Sequence, residues 1–342
     1  MPRPPSRCRM RLACSPHSPS GLHVQRPAGQ NRWCRLRFRG RVATLRPGRH
    51  HRWGRECGGM SGNEAERGVS VIIAAHRAHD TIVRAVRSLL DQDWTAWEAV
   101  IVSDDATDYR PTLQAAGIDD PRLVFTGTGR LGAGAPAARN AGLAVARLAL
   151  VAPLDADDRF RPGRLSALAP LALAHGAAFD NIAVVRDEDD SPLLRLYQDG
   201  QAPARMDGDA FLATSVPMFP VARRDLVPGW DDDVGFCDDV VFNVRLLDAT
   251  GPVPLVAAPL YEYRQRAGSI TFSADSGERA ERCYRHVLDR LADDGFGIRN
   301  DGLRHRFRQA IAAKRVRNAA YEAAFKAGRC ASFQEFLALG ME

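Results

Sequence analysis

Cysteine is scarce: seven in 342 residues, too few and too irregularly spaced for a disulfide-stapled secreted scaffold. Long apolar runs are missing as well. The longest, around Leu165–Ala174, carries Pro170 in its middle and falls short of the roughly 20 residues a bilayer-crossing helix needs. There are no internal repeats, no GxSxG elbow and no GxxxxGK[ST] loop. These absences exclude collagen, coiled coil, a helical membrane protein, a solenoid, an elbow-type hydrolase and a P-loop NTPase. The chain does have 45% apolar and 26% charged residues, the composition of a globular protein with a sizeable core. Its length suggests two domains or one large one.

The net charge of +6 averages two unlike segments. Residues 1–59 hold fourteen arginines, no lysine, four of the seven cysteines and a single acid, Glu56. The remainder carries 33 basic and 40 acidic residues, so the body gives no reason to expect nucleic acid. Rich in Arg, Pro, Gly and Ser, and without periodicity, residues 1–59 are expected to be disordered. Three origins fit: a targeting peptide, a basic arm for nucleic acid or anionic lipid, or a stretch that is not translated, because Met60-Ser61-Gly62-Asn63 opens a compositionally normal chain.

From Val69 the pattern is α/β. Val69–Ala75 is a continuous apolar, β-branched run of the buried parallel-strand kind. A helix follows, with Asp80 as its expected N-cap and Ile82, Val86, Leu89 and Leu90 on one face. Further strands are expected at Glu98–Ser103, Arg122–Thr126 and Leu148–Leu154, with a helix over Pro136–Arg147 before the last. Beyond residue 180, strands are expected at Asn181–Arg186, Leu193–Tyr197, Val216–Val221 and Leu260–Arg264. Helices are expected at Asp238–Asp248, from Ser276 and over Arg306–Ala327. Alternating strands and helices build a mostly parallel sheet covered on both faces, and its ligands lie beyond the carboxyl ends of the strands.

Acids stand at those ends. Asp155-Ala156-Asp157-Asp158 follows an apolar strand. Two carboxylates at i and i+2 can hold a hard divalent cation that bridges a diphosphate; the alternative is a solvated turn whose acids cap a helix starting near Pro162. Asp104-Asp105 offers a carboxylate to a nucleobase N–H, or else an Asx-turn. Trp230–Asp239 packs five acids into ten residues, either complementing a helix dipole or supplying a base for an incoming hydroxyl. Arg139, at a helix start, pairs with a phosphate or stays on the surface. Gly127-Thr128-Gly129-Arg130-Leu131-Gly132 spells GxGxxG but follows the third strand rather than the first, so it reads as a loop and not a dinucleotide fingerprint. The body cysteines Cys237, Cys283 and Cys330 show no metal-ligand spacing.

Together these segments resemble family-2 glycosyltransferases of the GT-A fold, over roughly residues 69–270. In order they are Val69–Ile73, Ser88-Leu89-Leu90-Asp91-Gln92, Asp104-Asp105, Ala138-Arg139-Asn140-Ala141-Gly142 and Leu154–Asp158. Cys237-Asp238-Asp239 then matches the "ED" pair, and Tyr263-Arg264 through Gly268-Ser269 the "YR…GS" segment. The resemblance implies a Rossmann-like, mixed but mostly parallel sheet flanked by helices over residues 60–272, with a helical segment at 273–342. It further implies an inverting transfer from a nucleotide-diphosphate sugar. Asp239 would be the catalytic base, Asp238 the acid beside it, and Asp155 and Asp157 the ligands of Mn2+ or Mg2+. Asp105, Asp155, Arg139, Ala74 and His76 would bind the donor.

Three positions depart from the family pattern. Ala74-Ala75-His76-Arg77 replaces Pro-x-aromatic-Asn, the acidic turn is one residue shorter, and Asp238 replaces Glu. The implied acceptor is a saccharide or lipid-linked saccharide of surface polysaccharide or glycolipid synthesis. It would be met in the cytoplasm at the inner membrane face, with at most peripheral membrane contact.

Overall fold

A computed structural model describes residues 34–38, 41–45, 62–214, 217–266, 275–330, 336 and 339–340. The chain divides into two units, Met1–Glu56 and Cys57–Glu342. In the first, the described residues are two antiparallel strands, β1 (Cys34–Phe38) and β2 (Arg41–Leu45). The rest of that segment, with Met60 and Gly268-Ser269, lies outside the described residues.

The second unit begins with α1 (Gly62–Arg67), β3 (Val69–Ala75), α2 (Ile82–Leu90) and β4 (Trp97–Ser103). Next come α3 (Arg110–Ala115), β5 (Leu123–Gly127), α4 (Ala135–Val145) and β6 (Leu150–Asp155). β3, β4, β5 and β6 pair in parallel in the order β5-β4-β3-β6. The crossover through α4 therefore carries the chain past β4 and β3, and β3 marks the point where the winding reverses. Such a reversal opens a crevice at the carboxyl ends of the flanking strands.

The sheet then turns mixed. β7 (Arg159–Phe160), α5 (Arg164–His175) and β8 (Ala177–Arg186) are followed by β9 (Pro192–Arg195), β10 (Arg205–Met206) and α6 (Gly208–Leu212). β11 (Val221–Arg223) runs antiparallel between β6 and β8. After α7 (Asp238–Thr250), β12 (Val253–Gln265) lies parallel to β8, with register shifts around Pro259. Two long helices follow, α8 (Ser276–Asp293) and α9 (Asp301–Lys326). They pack through Val287, Leu291, Leu303, Phe307 and Ile311 into the cluster that also holds Phe179, Trp230, Val241 and Phe242. Among the described residues no helix is long and apolar enough to cross a membrane.

The expected α/β architecture is present, with shifts that have physical causes. The N-cap position of α2 falls on Thr81 rather than Asp80, with no side-chain capping hydrogen bond, and α5 starts from Gly163 in a left-handed conformation, so no acid of the 155–158 turn caps it. Gly142 packs α4 directly against the sheet: a Cβ there would lie 2.5 Å from Ile72 Cγ2 and 3.1 Å from Val102 Cγ2.

Candidate active site

The acidic residues singled out in sequence divide into those the fold consumes and those it leaves facing the crevice. Asp104, buried at the end of β4, accepts from Thr128 Oγ1 (3.0 Å) and from the Ala133 and Gly134 amides (2.8 and 2.9 Å). The glycine-bearing loop is thus anchored, and a carboxylate sits at the N-terminus of α4, where the helix dipole favours it. Leu131, at that loop's tip, is exposed.

Asp105 has two donors on each oxygen. Ser103 Oγ and the Thr107 amide reach Oδ1 at 3.1 Å each, and the Arg77 amide and Tyr109 OH reach Oδ2 at 2.6 and 2.9 Å. Although its surroundings are partly dry, these hydrogen bonds hold the carboxyl well below the usual range. Asp105 makes the Asx-turn and ties the loop after β3, where Arg77 has φ 52°, to the loop after β4. Ala74 is in register with both Val102 and Asp155, and His76, half-exposed, has its Nδ1 3.9 Å from Asp104 Oδ2.

Across the reversal point, Arg139 is buried on the first turns of α4 and is not a surface residue. Its Nη2 donates to Asp155 Oδ1 at 2.6 Å and its Nη1 to Asp238 Oδ2. One guanidinium therefore joins the end of β6 to the first residue of α7. The next residue of the same segment, Asn140, donates from Nδ2 to Trp230 O and Asp232 Oδ1 at 2.7 and 2.8 Å, and accepts from the Trp230 amide at 2.9 Å. α4 thereby braces the loop that leads into α7.

Three of the five acids in that loop are spent on structure. Asp232 holds Asn140; Asp231 pairs with Arg245 (2.8 Å) and Arg290 (3.5 Å), and Asp233 with His286 (2.8 Å) and Arg290 (2.7 Å). Asp238 is held by Arg139. Asp239 is half-buried, and burial together with the charge of Asp238 pushes its carboxyl up to about 7.

The Asp155–Asp158 turn divides in the same way. Asp158 is buried, accepting from Tyr261 OH (2.8 Å) and the Arg264 amide (2.8 Å). The Asp155 amide donates to the same Tyr261 hydroxyl at 3.2 Å. Asp155 and Asp157 remain partly exposed, at 26% and 30%, which puts both within reach of a ligand. Asp157 Oδ2 lies 3.3 Å from Arg266 Nε, and burial plus the charge of Asp155 raise its carboxyl. That mutual repulsion and the hard oxygen donors suit a divalent cation. Among the described residues no group of three or more His, Cys, Asp or Glu is placed to hold a metal.

Tyr261 and Arg266 were given no role of their own from sequence, and Asp104 and Asp158 were read there only as members of the Asp104-Asp105 pair and the Asp155–Asp158 turn. Their common signal is position: each lies beside, or one turn of strand from, a residue that was given one.

Comparison with known proteins gives the family. The model of "Glycosyl transferase family 2" matches residues 70–223. "Succinoglycan biosynthesis protein ExoO" of Rhizobium meliloti is 32% identical over 249 residues, 66% of this chain and 70% of that protein. An Escherichia coli protein, "UDP-Glc:alpha-D-GlcNAc-diphosphoundecaprenol beta-1,3-glucosyltransferase WfgD", is 29% identical over 111 residues, 32% of this chain and 43% of that protein. Among solved structures, S. aureus TarS 1-349 in complex with UDP-GlcNAc aligns with a TM-score of 0.54 at 17% identity, covering 80% of this chain and 76% of that one. This last likeness concerns the fold, which is that of GT-A glycosyltransferases. The chain is a glycosyltransferase and belongs to glycosyl transferase family 2.

Proposed function

We propose that the chain moves a sugar from a nucleotide-diphosphate sugar to an acceptor hydroxyl, with inversion at the anomeric carbon, in the synthesis of a surface polysaccharide or glycolipid. The observation that carries this reading is the Arg139 bridge, which joins the turn bearing Asp155 and Asp157 to the acid pair Asp238-Asp239. The bound UDP-GlcNAc of TarS and the names of ExoO and WfgD support the donor class and the polysaccharide setting.

Asp239, ionised above about pH 7, accepts the proton of the acceptor hydroxyl as its oxygen attacks the anomeric carbon. The carbon–oxygen bond to the donor diphosphate breaks in the same step. Asp155 and Asp157 would hold Mn2+ or Mg2+, which when bound neutralises charge on the departing diphosphate. Arg139 fixes Asp155 and Asp238 relative to each other. Ala74 and His76 form the wall for the nucleobase, and Asp105 acts there by holding the Arg77 backbone, since both of its oxygens are engaged. The body from residue 60 to 272 is the catalytic domain, and the helices of 273–342 border the acceptor side.

The test is a thermal-shift screen of the full chain with UDP, GDP, dTDP and CDP, each with Mn2+ and with chelator. One nucleotide is expected to raise the melting temperature in a metal-dependent way. Asp239→Asn is expected to keep that shift and to lose nucleoside-diphosphate release by a factor of about 10³. Full turnover in the variant removes Asp239 as base; no shift with any nucleotide sinks the donor site.

A further inference from the structure

A second charged concavity backs onto the candidate metal turn. Between α2 and the β7–α5 connection lies a cleft of about 750 Å³, walled by Arg84, Arg87, Arg159 and Arg161. Arg84 marks the boundary between the two: its Nη2 donates at 2.6 Å to the carbonyl of Asp157 on the turn. The acids near the cleft are heavily shared. Glu262 alone receives Arg159 (2.5 Å), Arg161 (3.2 Å) and Arg264 (2.6 Å). Asp187 receives both Arg84 (2.9 Å) and Arg264 (2.7 Å), and Arg264 also reaches Asp190. Four guanidiniums thus stand against three carboxylates. Arg87, exposed on α2, adds a fifth that donates at 3.1 Å to a neutral carbonyl, that of Ala116. Asp80 and Asp91, at the rim, are exposed as Arg87 is, so guanidiniums and carboxylates around the cleft are equal in number, five each, and what sets Arg87 apart is that its partner is a neutral carbonyl.

Guanidinium groups in a concave wall present paired N–H donors that match the oxygens of carboxylate or phosphate. Arg159 spends Nε and Nη2 on Glu262, whereas Arg161, 35% exposed in the cleft wall, gives Glu262 its Nε and keeps its terminal nitrogens for a ligand. We propose that this cleft binds an oxyanion carried by the acceptor: a carboxylate or phosphate substituent on a saccharide whose reacting hydroxyl lies in the main crevice. This rests on the acceptor reading above and narrows it to acidic saccharides.

Equilibrium binding to the full chain, measured by calorimetry without donor, separates the failure of this proposal from failure of the transfer reaction. The probes are a glucuronate-containing tetrasaccharide, a neutral tetrasaccharide, inorganic diphosphate, and vesicles with and without phosphatidylglycerol. The expected result is binding of the acidic tetrasaccharide that weakens with salt, no binding of the neutral one, and at least a tenfold loss in the Arg87→Gln/Arg161→Gln double variant. Arg282→Gln/Arg285→Gln, at two exposed positions of α8, serves as the charge-matched control and should bind normally. Circular dichroism melting confirms that the double variant is folded, and Arg87→Lys/Arg161→Lys should recover part of the affinity. Equal binding of the neutral sugar, or an unaffected double variant, overturns the proposal. Binding confined to inorganic diphosphate or to anionic vesicles overturns it as well, because the oxyanion would then not come from a saccharide.

Discussion

Replacing Arg139 with Met tests the clamp without leaving a large hole. In the native protein the guanidinium is 4% exposed and contacts Asp155 at 2.6 Å and Asp238, whose side chains are 26% and 12% exposed. Removing it leaves two carboxylates facing each other in a poorly solvated space, and uncompensated buried charge of this kind costs about 3–5 kcal/mol. Asp155 keeps some access to water, so the lower half of that range is expected. For a body of this size each kcal/mol corresponds to roughly 2–4 °C in melting temperature, which predicts a loss of about 6–16 °C for Arg139→Met. The cost should also depend on pH in a defined direction. Burial already raises the Asp238 carboxyl, and the guanidinium opposes that rise; without it Asp238 titrates further above its unfolded value, so the folded state binds more protons than the unfolded one. Stability then falls as pH rises, by about 1.4 kcal/mol per pH unit across the shifted window of that group. The variant should therefore be closest to wild type near pH 5 and furthest from it near pH 8.

Urea unfolding of the full chain at both pH values reads this out. Adding Asp155→Asn and Asp238→Asn to Arg139→Met should recover most of the loss, because the three sites share one interaction and their effects are not additive. A variant within about 1 kcal/mol of wild type at pH 8, or a triple variant no better than the single one, would refute the claim that Arg139 acts as an electrostatic bridge.

Turnover should rise with pH through about 7 and level off above it, following ionisation of Asp239; a rate independent of pH from 5.5 to 8.5 would deny it the role of base. The same group works against stability: its folded value lies above its unfolded one, so its contribution is present at low pH and is lost as pH rises toward about 7. Asp239→Asn should accordingly flatten the decline in melting temperature between pH 5 and 8. Asp105 has the opposite sign, its folded value being depressed by four hydrogen bonds. It stabilises above pH 4, and that contribution is lost as pH falls below its unfolded value. Asp105→Ala should cost about 2–4 kcal/mol by stranding the Arg77 and Thr107 amides, and should weaken nucleotide binding, as calorimetry can measure. Gly142→Val places its first added carbon 2.5 Å from Ile72 Cγ2 and should destabilise by at least about 1–3 kcal/mol through overpacking; an unchanged denaturation midpoint would mean that α4 is free to move off β3.

What could be read from sequence was whatever is local in the chain. Val69–Ala75 is a strand in both, because seven residues of apolar and small side chains buried on two faces leave few other folds. The acids at 155–158 and 238–239 could be read as a site because each group follows an apolar element whose end must face the crevice. What each acid does there depends on partners distant in sequence. Arg139 meets Asp238 across 99 positions and Asp155 across 16, and Asp158 meets Tyr261 across 103, so no window of sequence separates the clamped acid from the free one. β12 was cut short for another reason. Pro254 and Pro259 interrupt the alternation that marks a strand, and the sheet absorbs Pro259 by shifting register on both sides of it. That irregular strand supplies Tyr261 and Arg264, whose hydroxyl and amide hold Asp158, and Arg266, the residue just past its end, meets Asp157. The part of the chain least readable as structure therefore positions the part most readable as chemistry, and a substitution in β12 should disturb the acidic turn before it disturbs the strand's own pairing.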